Sequence, residues 1–316
     1  MGARQVIADY PEEAVGMMID SFLTGATWPR QRVSVELFSK TLEHQLGADA
    51  RLVGHIAGFK PFYMQFKRPL GYFSDSTSKL VRDRKHRSPP LRTEPVTMYF
   101  GLRDKAPTHS EYQHNILHAL RESCQPAGSD AAYVCPLFFR RDVYRTHIHL
   151  ASMREWRRGS WLFGLPWRTG PVSVADGATS INFTGVPLLR EHVTIPPHRQ
   201  VTSSNHSYSF ADSGDEVCFH SPEEVREGPI TLDKWLTRIA DGVFSGESMI
   251  PREMAAEELG RFVERVLSQT PLSVRLDTSR EAQGILSWME LGYSLEQEYG
   301  IRQYAFVHWS DEGSQA

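Results

Sequence analysis

Asp49, Gln65 and Lys67 are the residues of this 316-residue chain whose types and order could do chemistry. Asp49 follows Gly47-Ala48, and the other two belong to the later run Gln65-Phe66-Lys67. An acid, an amide oxygen and an amine can hold a divalent cation beside a phosphate group. The cation would polarise the phosphate and lower the pKa of a bound water, while the lysine orients that water or neutralises developing charge. These residues therefore indicate phosphodiester hydrolysis.

Two glutamates, Glu36 and Glu43, are candidates for a second carboxylate near Asp49. Four apolar residues fall at helical spacing: Val35, Phe38, Leu42 and Leu46. They predict a helix over residues 33–46, with Gly47 as its C-cap. Both glutamates lie on the flank of that helix, and either could reach the cation. Carboxylate and amide oxygens suit Mg²⁺ or Mn²⁺, so the expected ligands are Asp49, Gln65 and one of the two glutamates, Glu43 or Glu36.

The element expected to position Gln65 and Lys67 is a β-hairpin. Residues 51–57 and 61–67 are rich in β-branched, aliphatic and aromatic residues, and the turn-like Gly58-Phe59-Lys60 separates them. Because side chains alternate along a strand, Gln65 and Lys67 share one face of the second arm. Asp49 would then lie near Lys67, and the polar side chains would surround one small cavity.

The following segments complete an ordered core. Residues 74–94 are polar and end in Ser88-Pro89-Pro90, which predicts a long loop. Residues 96–102 predict a strand, 110–122 a helix and 131–137 a buried strand. Through residue 137 the order is helix, three strands, helix and strand, which is an α/β arrangement.

These residues resemble the PD-(D/E)xK restriction-endonuclease-like superfamily in its Gln variant. The resemblance lies in Glu36…Asp49…Gln65-Phe66-Lys67, in the helix and hairpin beneath them, and in the αβββαβ order, and it covers about residues 33–137. It implies a mixed sheet flanked by helices, metal binding by Asp49, an accessory ligand at Gln65, a catalytic Lys67 and a supporting acid at Glu36. Ala48 stands where proline is often found, and Gln65 replaces the commoner acid.

The resemblance also implies a biological setting. The chain is similar to a group of uncharacterised bacterial proteins that share the QFK hairpin, and many nucleases of the superfamily act in defence against phages or plasmids. DNA is the favoured substrate, partner proteins of a multi-component system are expected, and a homo-oligomer is compatible with the sequence. Two alternatives stay open: an inactive nuclease-like module that binds nucleic acid or a partner protein, and a scaffold that binds no nucleic acid.

A basic segment follows the expected catalytic strand. Its candidate nucleic-acid contacts are Lys79, Arg82, Arg84, Lys85 and Arg87. Cations on a long loop are well placed to contact a phosphate backbone, and a solvated loop is the alternative interpretation. The whole chain carries 35 Lys and Arg against 38 Asp and Glu, so any basic surface must be local.

Composition excludes several classes of protein. Three cysteines without CxxC spacing argue against a disulfide framework and a thiolate zinc site. No apolar run is long enough to span a bilayer, and no signal peptide is indicated, so we expect a cytoplasmic protein without membrane contact. Glycine-rich phosphate loops are also absent from the sequence.

The chain divides into three predicted segments. Residues 1–137 form the nuclease-like core, residues 138–230 an irregular, partly β insertion or second lobe, and residues 231–316 an α/β part packed on the same body. In the last segment, helices are predicted over residues 231–240, 252–267 and 279–288, and a strand over residues 303–309.

Overall fold

The computed structural model describes residues 5–27, 33–37, 56–125, 128–158, 172–175, 178–220, 223–224, 229–241, 250–272 and 283–309. These ranges contain eight helices and fifteen strands in an α/β arrangement. The helices are α1 (Glu12–Thr27), α2 (Lys79–Lys85), α3 (Gln113–Cys124), α4 (Arg141–Arg158), α5 (Pro187–Arg190), α6 (Leu232–Ala240), α7 (Arg252–Gln269) and α8 (Gln283–Tyr299).

The strands are numbered in chain order. They are β1 (Gln5–Ile7), β2 (Val33–Leu37), β3 (Ile56–Phe66), β4 (Leu70–Phe73), β5 (Val96–Gly101), β6 (Ala131–Pro136), β7 (Val172–Ala175), β8 (Ala178–Ile181), β9 (His192–Ile195), β10 (Ser207–Ala211), β11 (Cys218–Phe219), β12 (Glu223–Glu224), β13 (Ile230–Thr231), β14 (Ile250–Pro251) and β15 (Arg302–Trp309).

Two sheets organise the molecule, and a separate pair, β7 and β8, forms a small hairpin. The central sheet has the order β13-β9-β6-β3-β15-β2, with β14 also pairing β3. It is mixed, because β3 and β6 run parallel while its other pairs run antiparallel. The outer sheet is antiparallel, with the order β1-β4-β5-β10-β11-β12. Strands from residues 1–137 and 138–230 enter both sheets, and the central sheet also takes β14 and β15.

The central sheet buries both of its faces. Phe62, Met64 and Phe66 of β3 belong to the core under α1, α4, α5 and α6. Tyr63 belongs to the opposite core, which α3, α7, α8 and the outer sheet complete. The alternation predicted for residues 62–67 is therefore confirmed, but the face that carries Gln65 is packed against other elements.

The helix predicted over residues 33–46 is wrong for its first part. Residues 33–37 form β2, which pairs β15 with Glu36 opposite Ala305. Val33, Val35 and Leu37 alternate with polar residues, which favours a strand, and β15 supplies the partner that the sequence pattern cannot show. Residues 38–46 lie outside the described residues.

The predicted hairpin of residues 51–57 and 61–67 is also wrong where the structure describes it. Gly58-Phe59-Lys60 continues as part of the single strand β3, which pairs β15 along its length. On its other side β3 pairs β14 at residues 58–59 and β6 at residues 63–66, so Pro61 falls in the gap between two partners. A missing N–H is tolerated best at such a gap.

The predicted α/β class, with a mixed sheet flanked by helices, is confirmed, and the structure adds an antiparallel sheet that was not predicted. The described order through residue 136 is β1-α1-β2-β3-β4-α2-β5-α3-β6, and β3 and β5 lie in different sheets. A restriction-endonuclease-like core is not confirmed by this order. The segment 74–94 is not entirely a loop, because it contains α2.

Several local predictions agree with the structure within a few residues. These are the helices α3, α6 and α7, and the strands β5, β6 and β15. The helix predicted over residues 279–288 overlaps α8, but α8 continues to Tyr299, well beyond the predicted end. None of the helices in the described ranges has the length and apolar character needed to cross a bilayer.

Candidate functional site

Gln65 lies near the end of β3 and is buried, with 1% of its surface exposed. Its Nε2 lies 3.4 Å from the carbonyl oxygen of Tyr299, the last residue of α8. Gln113 of α3 donates to the same carbonyl. The last carbonyls of a helix have no helical partner, so the two amides serve as side-chain caps for α8. Gln65 thus has a structural task that the sequence did not reveal.

Lys67 follows β3 directly and is also largely buried. Its Nζ donates to Gln113 Oε1 at 3.1 Å and lies 5.7 Å from the centroid of the Tyr133 ring. Burial lowers the pKa of the Lys67 ammonium, and the nearby carboxylate of Glu12 partly opposes that shift. Lysines with a lowered pKa are concentrated at functional sites when they also reach a cleft.

Lys67 reaches such a cleft. A pocket of about 420 Å³ opens between the end of β3, the end of β5 and the first turn of α1. We call it the Lys67 pocket, and it is lined by Pro11, Glu12, Glu13, Lys67, Arg68, Gly101 and Arg103. Three cations and two carboxylates therefore surround one open space.

The carboxylates of the Lys67 pocket belong to the start of α1. Glu12 and Glu13 lie in the first turn, where negative side chains are favoured by the helix dipole. Glu12 Oε2 accepts a hydrogen bond from the backbone N–H of Arg68 at 3.3 Å, which connects α1 to the residue after Lys67. The side chains of Glu13, Arg68 and Arg103 are exposed, so the pocket wall is polar and open to solvent.

The structure does not bring the sequence-predicted site together. Asp49 and Glu43 lie outside the described residues. Glu36 lies on β2, which is separated from β3 by β15. It pairs Ala305 of β15, and Ala305 pairs Pro61 of β3 on its other side. Two strand spacings and the four residues from Pro61 to Gln65 place the backbones of Glu36 and Gln65 roughly 16 Å apart. The predicted convergence of Glu36 with Gln65 and Lys67 is therefore wrong.

Gln65 also differs from the accessory metal ligand that was predicted. Its Oε1 is buried and has no hydrogen-bond partner in the described part of the chain, and Gln65 does not line the Lys67 pocket. A hard cation that keeps several waters needs an open position, which this oxygen does not offer. Within the described ranges, no group of three or more His, Cys, Asp or Glu residues could hold a metal ion. The Mg²⁺ or Mn²⁺ prediction thus depends on Asp49 and Glu43, or on the two glutamates of the Lys67 pocket.

The predicted basic segment separates into buried and exposed cations. Arg84 is completely buried, so the structure does not support its predicted nucleic-acid contact. Lys79, Arg82 and Lys85 are exposed on α2, although Lys85 Nζ donates to the carbonyl of Ser74 at 2.6 Å. Arg87 is half-buried and lies 3.5 Å from Cys218 Sγ. Three of the five predicted cations therefore present a basic helix face to solvent.

Comparison with protein-family models, with curated proteins and with solved structures found no match.

Sequence reasoning missed Glu12, Gln113 and Arg103 as neighbours of Lys67. An acidic pair before an apolar helix marks a helix start, which is a common role for such residues. Nothing in the spacing indicates that this helix start meets the end of β3, because the contact depends on how α1 packs on the central sheet.

Proposed function

We propose that the protein binds nucleic acid by its phosphate groups at the Lys67 pocket, and that metal-dependent phosphodiester hydrolysis is the reaction of this pocket. The observation that carries the proposal is that Lys67, a buried lysine with a lowered pKa, lines an open pocket together with Arg68 and Arg103. Cations that follow the ends of β3 and β5 line the same space, which supports contacts to phosphate groups. DNA is the favoured substrate.

The residues of the pocket divide into two tasks. Arg103 and Arg68 are exposed and would contact phosphate oxygens, which positions the backbone without reading its sequence. Lys67 is held by Gln113 at the base of the pocket, so its charge has a fixed place. A fixed cation stabilises the charge that develops on a phosphate without reorganising during the reaction.

Carboxylates beside these cations fit a magnesium-dependent reaction. Mg²⁺ is commonly bound by one or two carboxylates together with substrate phosphate oxygens, and Glu12 and Glu13 line the pocket. Bound Mg²⁺ or Mn²⁺ would polarise the phosphate and lower the pKa of a water. The second candidate function is nucleic-acid binding without cleavage. The burial of Gln65 favours this candidate, because the residue predicted as an accessory metal ligand is not accessible to a metal ion.

Binding is tested by fluorescence anisotropy with labelled single-stranded and double-stranded DNA over a range of salt concentrations. Arg103→Gln should weaken binding by roughly fivefold to tenfold and reduce the salt dependence by about one phosphate contact. Lys105→Gln is the matched control, because Lys105 is exposed on the same connection but does not line the pocket. Parent protein without salt-dependent binding, or equal losses in both variants, would overturn the proposal.

Cleavage is tested on the same DNA with Mg²⁺ or Mn²⁺, in the parent and in Lys67→Met and Glu12→Gln. If the pocket hydrolyses DNA, the parent should cut the DNA and neither variant should. Without metal, Glu12→Gln should bind DNA more tightly than the parent does, because the variant lacks one carboxylate that repels phosphate. Circular dichroism of both variants shows whether the fold is intact. DNA binding without cutting by the parent assigns the inactive module instead.

A further inference from the structure

A second pocket lies at the start of β6, where Ser129 and Asp130 precede the strand. It has a volume of about 530 Å³ and we call it the Asp130 pocket. Its lining includes Arg121 and Ser129 before β6, and Trp235, Arg238 and Ile239 on α6. Lys67 is about five strand residues away, roughly 17 Å, and the two pockets share no lining residue, so they are separate.

Asp130 holds the polar side of this pocket in place. Its carboxylate accepts four N–H groups: Ala131 N at 2.9 Å, Arg121 Nε at 3.1 Å, Trp235 Nε1 at 2.9 Å and Arg238 Nη2 at 2.7 Å. One carboxylate thus brings together guanidinium groups from α3 and α6. Two cations against one anion leave a net positive charge at the pocket wall.

Arg238 keeps donors beside the open space. Its side chain is 60% exposed, and in the described part of the chain it bonds Asp130 through Nη2 only. A guanidinium carries five N–H donors, so one bond to Asp130 leaves most of them available. The ion pair with Asp130, whose carboxylate accepts three further N–H groups, places the Arg238 guanidinium at the pocket wall.

Ser129 supplies an independent observation. Its Oγ is buried and has no hydrogen-bond partner among the described residues, although Ser129 lines the pocket. A buried hydroxyl without a partner is unfavourable, and a ligand or water that it would bond is one explanation of such a group in a native structure. Rotation of the Ser129 side chain would turn Oγ toward the pocket, where an acceptor oxygen beside the arginines would satisfy it.

The rest of the wall contains the polar Gln125 and Thr194, but most of it is apolar: Trp235, Ile230, Ile239, Pro196 and Ala132. An apolar wall beside a few convergent polar groups is the usual composition of small-molecule sites, and the volume falls within their usual range. We infer that the Asp130 pocket binds a small organic anion, whose carboxylate or phosphate oxygens contact Arg121, Arg238 and Ser129 while its apolar part packs against Trp235 and Ile239. This site is independent of the proposed nucleic-acid binding.

Isothermal titration with benzoate, phenyl phosphate and inorganic phosphate tests the inference. We expect one of the two aromatic anions to bind, and the preferred one decides between a carboxylate and a phosphate ligand. Arg238→Gln should weaken that binding by fivefold or more, and Ser129→Ala by about threefold. Because Arg238 is mostly exposed, its replacement does not disturb the core.

Arg190→Gln is the matched control. Arg190 is 61% exposed and, like Arg238, pairs a single carboxylate, that of Glu191 at 3.0 Å. It does not line the pocket. Binding by Arg190→Gln should equal that of the parent. The inference is overturned if neither aromatic anion binds at about 10 mM, if Arg238→Gln binds as tightly as Arg190→Gln, or if inorganic phosphate binds as well as phenyl phosphate.

Discussion

Arg84 illustrates how a single buried cation can connect distant segments. Its Nε and Nη2 donate to the carbonyl of Arg92 at 3.0 and 2.8 Å, and its Nη1 donates to the carbonyls of Ser209 at 3.2 Å and Glu216 at 2.8 Å. The Glu216 carboxylate lies 3.5 Å away. The guanidinium therefore fixes α2 to β10 and to the loop before β11. Buried arginine is stable when its donors are satisfied in this way.

Replacement of Arg84 should therefore destabilise the protein strongly. Arg84→Met keeps much of the side-chain volume but leaves several buried carbonyl oxygens without donors, at a cost of about 3 kcal/mol in the free energy of unfolding. Arg82→Met, an exposed cation of the same helix, should change it by less than about 0.5 kcal/mol. Urea denaturation of both variants measures the difference. Equal midpoints would show that the Arg84 contacts do not stabilise the fold.

At the scale of elements, the end of α8 depends on one backbone conformation. Gly300 has φ +63°, its N–H bonds the carbonyl of Glu296 at 2.9 Å, and the N–H of Ile301 bonds that of Leu295 at 3.1 Å. This left-handed residue ends the helix and turns the chain into β15. The carbonyl of Tyr299 is then left for Gln65 and Gln113, which connects the helix end to the residues around Lys67.

Two glycine substitutions should therefore have opposite signs. Gly300→Ala should lower the free energy of unfolding by about 1 to 2 kcal/mol, because a Cβ is unfavourable in the left-handed region. Gly260→Ala should raise it by up to about 1 kcal/mol, because Gly260 lies in α7 and an added Cβ meets no atom within 4 Å. Thermal and urea denaturation measure both. A loss of stability in Gly260→Ala would contradict the reasoning.

Local sequence patterns predicted the elements unevenly. The helices α3, α6 and α7 have regular apolar spacing, and their prediction needed no tertiary information. The apolar residues from Val33 onward fit both the alternation of a strand and the spacing of a helix. Residues 33–37 form a strand because β15 pairs with them. Gly58 and Pro61 are typical of turns, yet β3 is continuous because partners on both sides stabilise it. Strand alternation correctly placed Gln65 and Lys67 on one face. The contacts of Lys67 with Gln113 and Glu12 could not be predicted, because they depend on how α3 and α1 pack on the central sheet.

At the scale of the whole molecule, two cores on either side of the central sheet enclose several neutral histidines. His114 Nε2 donates to the carbonyl of Arg199 at 2.6 Å, and its Nδ1 accepts from the Tyr133 hydroxyl at 2.9 Å. Burial lowers the pKa of His114 to about 3, and burial likewise lowers the pKa of His192 to about 4. In the unfolded chain both would have a pKa near the ordinary value of about 6.5.

The stability of the protein should therefore fall in mild acid. Above about pH 6.5 both states hold these histidines neutral, but at lower pH the unfolded state takes up protons that the folded state excludes. Each histidine then reduces the free energy of unfolding by about 1.4 kcal/mol per pH unit until its folded pKa is reached. Urea denaturation between pH 7 and pH 5 measures the slope. His114→Gln should make the slope shallower, exposed His149→Gln should not, and equal slopes in all three proteins would contradict the assignment.

The position of β15 has a consequence for synthesis on the ribosome. β15 (Arg302–Trp309) lies between β2 and β3 in the sheet, although both of these strands lie within residues 33–66 of the sequence. Until it emerges, β2 has no partner strand among the described residues and one edge of β3 stays open to pairing with other chains. Closure of the sheet must therefore follow translation of all the described elements that precede β15, and the open strand edges favour aggregation during that interval.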